Sequence, residues 1–207
     1  MSLMIQNMVL KWEGQSDTEC LERHPQLSRR AGTLVIQVEQ TLFRIHSYLL
    51  ANSSKVLKKI LMRHPSNGPH FSDPYAAPLH LEGSVAGWGC ILSLFYRKDL
   101  FKAVTFTISQ WTEILPIAQD YEMVLIKEEG VRCLLKLSWR CDPVELLLLA
   151  KRIGSYELYT RAVDMVAQGQ FLSHQDARRL GFEAFYEVTA RREKAGQRTD
   201  ASRMIAY

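Results

Sequence analysis

The chain has 207 residues, of which 47% are hydrophobic and 23% charged. That composition supports a folded core, in one large domain or a compact domain with an extension. It excludes disordered and collagen-like chains, since the 11 glycines and 7 prolines follow no period. A net charge of +4 is too small to mark a phosphate-tracking face, and the longest apolar run, Leu146 to Ala150, falls far short of the ~20 residues of a membrane span.

Residues 1–31 show no sustained periodicity and are expected to form an irregular arm. Leu34, Ile36 and Val38 then alternate with Val35, Gln37 and Glu39, the period of a strand. Phe43 and Ile45 alternate in the same way with Leu42 and Arg44, giving a second strand. The Glu39-Gln40-Thr41 turn between them lacks glycine, so Gln40 is expected to carry any positive φ. From His46 to Arg63 the spacing turns helical, with Leu49, Leu50, Val56, Leu57, Ile60 and Leu61 as the apolar set. Four prolines between Pro65 and Pro78 predict a long exposed loop, and Leu79-His80-Leu81 suits an edge strand.

Ser84 is placed to cap a helix whose stripe is Val85, Trp88, Leu92, Phe95 and Tyr96. A second helix carries Trp111, Ile114, Leu115 and Ala118, with Pro116 expected to kink it. A third has Val124, Val131, Leu134 and Leu135 on one face. Asp142-Pro143-Val144-Glu145 reads as a cap with proline at the first helical position, followed by Leu146, Leu149, Ala150 and Ile153. Further helices are expected over Tyr156–Val166 and from a capping box at Ser173-His174-Gln175-Asp176. Beyond Lys194 the apolar face is lost and the tail, 195–207, is expected to fray. Few strands and many helices predict a helix-dominated α+β fold.

The four cysteines form no C-x-x-C pair, and no secretory leader is evident at Met1 to Trp12. Free thiols in a reducing, intracellular compartment, cytoplasm or nucleus, are the expectation. Gly83, Gly87 and Gly89 match neither a dinucleotide fingerprint nor a P-loop and read as close helix packing. His64, His70, His80 and Asp73 are too widely spaced around a loop to secure a metal. No nucleophile elbow occurs, and the adjacent Glu128 and Glu129 would face different ways on a helix. The residues therefore point to no enzyme, no cofactor, no metal, no nucleic acid and no membrane.

Phe43-Arg44-Ile45-His46, followed by Ser47-Tyr48-Leu49-Leu50, resembles the F-x-x-H opening of a BTB/POZ domain, in which two short helices come next. The Leu94-Phe95-Tyr96 helix end is similar to the family's third-helix ending, and Ala118-x-x-Tyr121-x-Met123 to the segment after it. With Asp142 to Glu145, Ala177 to Gly181 and Arg191 to Lys194 added, the pattern resembles stand-alone BTB proteins of mushroom-forming fungi. The resemblance implies a BTB/POZ-like domain over 32–137 and a helical extension over 138–194. It implies a non-enzymatic protein-interaction module that forms homo- or hetero-oligomers, a homodimer among them, with Val35, Tyr48 and Leu49 near the pairing segment. Phe43, His46 and Tyr96 would be structural signature residues, His46 hydrogen-bonded beneath the first short helix. Two other roles belong to the family, adaptor for a cullin ubiquitin-ligase scaffold and transcription-related scaffold. The residues that mark them elsewhere are replaced here by Thr33 and Ser47, and no glutamate occurs between Met62 and Leu79.

Overall fold

The alternating run Thr33–Val38 forms strand β1, and Thr41–His46 forms β2 beside it. They pair antiparallel from Val38↔Thr41 to Thr33↔His46, leaving a two-residue turn. This computed structural model describes residues 33–64, 78–96, 106–169 and 172–204, with backbone alone for 33 and 196–204. The expected loop 65–77 and arm 1–31 lie outside the described residues. By internal packing the chain divides into two units, Met1–Lys127 and Glu128–Tyr207.

In the first unit a short strand β3, Leu79–His80, adds parallel to β1 and completes a mixed sheet of order β2-β1-β3. The centre of the sheet is buried on both faces: Leu34, Ile36 and Val38 on one side, Val35 on the other. Positive φ falls on Glu39 (52°), not on the expected Gln40. The first turn residue is the one that must reverse the chain, and the Gln37 amide donates to its carbonyl at 3.1 Å. A left-handed non-glycine residue costs about 1–2 kcal/mol. Glu39→Gly is therefore expected to raise stability by about 0.5–1 kcal/mol, after the greater chain entropy of glycine is subtracted, as read from urea unfolding.

The helical run after β2 is two helices, α1 (Ser47–Ser53) and α2 (Lys55–Arg63), and His46 belongs to the strand. Ser54 breaks the run in an extended conformation (φ −154°, ψ 133°), its hydroxyl accepting the Leu57 amide. Helix α3 (Val85–Phe95) is capped by Ser84, as its sequence predicts, and buries Trp88, Ile91 and Leu92. Helix α4 (Ile108–Asp120) starts earlier than its stripe, at a capping box of Thr107 and Gln110. It continues past Pro116 to Asp120. Gly87 marks close packing of α3 against α4, since a Cβ there would lie 2.6 Å from Ile117 Cδ1, and Gly83, before the α3 cap at φ 122°, meets the same side chain at 2.7 Å from Cγ1. Gly89 has open space.

Helix α5 spans Val124–Leu137 and passes through the boundary between the units. Its buried side is Gly130, Val131 and Leu134, whereas Val124, at the first helical position, is 58% exposed, against the expected stripe. A 3-10 turn, Ser138–Arg140, leads to α6 (Pro143–Ile153), where Asp142 accepts the Val144 and Glu145 amides at 2.9 Å each. Helices α7 (Tyr156–Gln168), α8 (His174–Leu180) and α9 (Phe182–Met204) complete this unit, α6 packing on α7 and α7 on α9. Arg192 donates to the carbonyls of Val166 and Ala167 at the end of α7, and the α9 backbone stays helical beyond Lys194, where fraying was expected. The whole is α+β with helix dominant. Among the described residues no helix is long and apolar enough to cross a membrane.

Candidate interaction surface

The junction of β2 and α1 brings together residues that lie far apart in the sequence. His46 ends β2 with its amide turned away from β1, and that N–H donates to the Tyr96 hydroxyl at 2.8 Å. The same hydroxyl lies 2.9 Å from His46 Nδ1. The oxygen accepts the amide hydrogen and still carries an O–H of its own, so one phenol pairs with both the backbone and the ring of His46. Burial pushes the Tyr96 phenol up, against the His46 amide bond and with the neighbouring Tyr48 adding to the rise, so it stays protonated at neutral pH. His46 and Tyr96 thus form one hydrogen-bonded unit, and Phe43, three residues before His46 on the opposite face of β2, is buried.

Tyr48 lies against this unit, its ring 5.8 Å from that of His46, and is 54% exposed on α1. Leu49 next to it is half-buried. Val35, by contrast, is only 1% exposed: it lies in the central strand, so it offers no surface in this fold and the expectation that it contacts a partner is corrected. Removing the phenol oxygen in Tyr96→Phe leaves the His46 amide and Nδ1 without their partner. A loss of about 1–2 kcal/mol in urea unfolding is expected, with the fold retained.

A second cluster draws on residues that no sequence motif brings together. Ser54 donates its hydroxyl to the Tyr121 carbonyl while it caps α2. The Tyr121 hydroxyl accepts the Glu82 amide at 2.7 Å, the Trp88 indole donates to the Glu82 carbonyl at 2.9 Å, and the Trp88 and Tyr121 rings meet edge-on at 5.4 Å. Burial pushes the Tyr121 phenol up as well. The signal available was Ala118-x-x-Tyr121-x-Met123, three residues that are all buried.

His70 and Asp73 lie outside the described residues, and among those described no three potential ligands gather to hold a metal. His64 is pulled down by burial and by the charge of His80. Burial pushes the thiols of Cys90, Cys133 and Cys141 up, so each is protonated at neutral pH, a poor state for a nucleophile. No protein-family model and no curated protein matches the chain.

The second unit has exposed rings of its own. Phe182 and Tyr186, one turn apart on α9, stack at 6.4 Å, and Trp139 carries the Arg140 guanidinium over its face at 5.5 Å. Tyr159 donates to Glu187 at 2.9 Å, and burial together with that carboxylate pushes its phenol up to about 12.

Proposed function

We propose that the chain is a protein–protein interaction module that pairs with a second copy of itself through the α1 surface. The observation that carries this reading is Tyr48, a large aromatic side chain more than half exposed yet set against the His46–Tyr96 unit. An aromatic ring whose base is already ordered loses little entropy on docking, and aromatic residues of this kind dominate interface energetics. The order of two strands, two short helices and a parallel third strand agrees with the resemblance to BTB/POZ domains, which supports pairing as the mode of action. A stable pair of this size buries about 1,600 Å² in total, so α1 would supply the centre of the contact and its neighbours the rim.

Sedimentation velocity over a concentration series tests the reading. The native chain is expected to dimerise, and Tyr48→Arg to raise the dissociation constant about tenfold or more while its circular dichroism spectrum stays that of the native fold. Equal self-association of the two chains would contradict it.

A further inference from the structure

The edge of the sheet formed by β2 has an unusual chemical character. Val38 and Thr41 flank a two-residue turn, so the hydrogen-bonded pairs of the hairpin are Val38–Thr41, Ile36–Phe43 and Leu34–Ile45. The amides and carbonyls of Leu42, Arg44 and His46 then point away from β1. Two contacts agree with this phase: the outward His46 amide reaches Tyr96, and Gln37, which faces Leu42, turns its carbonyl to the opposite side to accept the Leu81 amide at 2.9 Å. Tyr96 closes the far end of the edge. Leu42 and Arg44 keep outward main-chain groups for which the described residues provide no partner.

Arg44 adds the second observation. Its Nε is sealed from solvent without a hydrogen-bond partner, and among the described residues no carboxylate pairs with the guanidinium. The guanidinium therefore carries a charge that no described carboxylate neutralises, and a carboxylate brought to the strand edge supplies a charge-assisted partner for it. Leu42, half-buried on the same face, offers an apolar neighbour two residues away.

We propose that the β2 edge takes up an extended peptide segment of a protein partner, bearing an Asp or Glu opposite Arg44 and an apolar residue opposite Leu42. The backbone of the segment exchanges hydrogen bonds with Leu42 and Arg44 as an added strand, and its carboxylate meets the guanidinium. The arginine also selects against a second copy at this edge, because symmetric pairing of two β2 strands would set two Arg44 side chains diagonally across from each other on one face. The site is separate from the α1 surface and does not depend on self-association.

The test is selection of a displayed library of random seven-residue peptides on the intact chain, followed by titration of the enriched peptides as synthetic probes. The enriched peptides are expected to share an acidic residue at a fixed position and to slow hydrogen exchange at the Leu42 and Arg44 amides. Binding is expected to weaken at least tenfold on Arg44→Gln. It should weaken equally on Leu42→Pro, which keeps the β1–β2 ladder because the lost N–H faces outward. If Leu42→Pro does not fold, Arg44→Gln and the amide exchange decide. Absence of enrichment, equal binding by the variants, or protection of the two amides in the chain without peptide would overturn the proposal.

Discussion

Gly87→Ala is expected to lower the stability of the first unit by about 2 kcal/mol or more, although alanine is the better helix former. A methyl group at this position would lie 2.6 Å from Ile117 Cδ1 and 2.7 Å from the Glu113 carbonyl oxygen. The isoleucine tip can rotate away, but the carbonyl is part of the α4 backbone, so relief requires the two helices to separate. Trp88, Ile114 and Ala118, all buried where these helices meet, would lose packing in the process. Gly89→Ala supplies the internal comparison. It lies two residues on in the same helix with nothing within 4 Å of the added carbon, so it should gain up to ~1 kcal/mol from helix propensity alone. Urea unfolding of both variants measures the pair. A Gly87→Ala chain as stable as Gly89→Ala would mean that α3 and α4 are not in the close contact described.

The other large effect is at Ser54. Its hydroxyl both accepts the Leu57 amide, capping α2, and donates to the buried carbonyl of Tyr121, so Ser54→Ala removes two bonds at once. Loss of a cap costs about 1 kcal/mol and an unpaired buried carbonyl about 1–3 kcal/mol, which gives an expected loss of about 2–4 kcal/mol. Ser84→Ala separates the two contributions, because Ser84 caps α3 through the Gly87 amide while its own hydroxyl donates to an exposed carboxylate, that of Glu113. It should cost only about 1 kcal/mol. Equal losses for the two serines in urea unfolding would show that the Tyr121 carbonyl finds another partner.

Caps with local chemistry were legible in the sequence: Ser84, Asp142-Pro143 and Ser173 begin α3, α6 and α8 because each side chain bonds amides two or three residues ahead. The Thr107–Gln110 box was as local, but the apolar stripe beginning at Trp111 hid it. What depended on packing was not legible. Val35 and Leu34 have the same side-chain type and opposite faces, and both are buried because the sheet is covered on both sides, which alternation alone does not record. Period places Val124 in a core stripe and the glycine-free turn places the positive φ on Gln40, whereas α5 leaves Val124 exposed and the left-handed turn residue is Glu39. His46 and Tyr96 could each be named as a structural residue, yet their bond spans 50 positions and no local pattern records it. Tyr48 was named as a contact residue through the resemblance. Its exposure beside His46 comes from the way β2 turns into α1. The Arg44 edge was missed because strand alternation gives the face of a side chain and says nothing of which main-chain groups remain unpaired.

The most direct measurement is the mass of the intact chain by light scattering coupled to size-exclusion chromatography. A particle of about twice the 23.8 kDa chain mass, moving toward one chain mass on dilution and on Tyr48→Arg, is the result expected of a self-pairing module. A strict monomer at high micromolar concentration would contradict it.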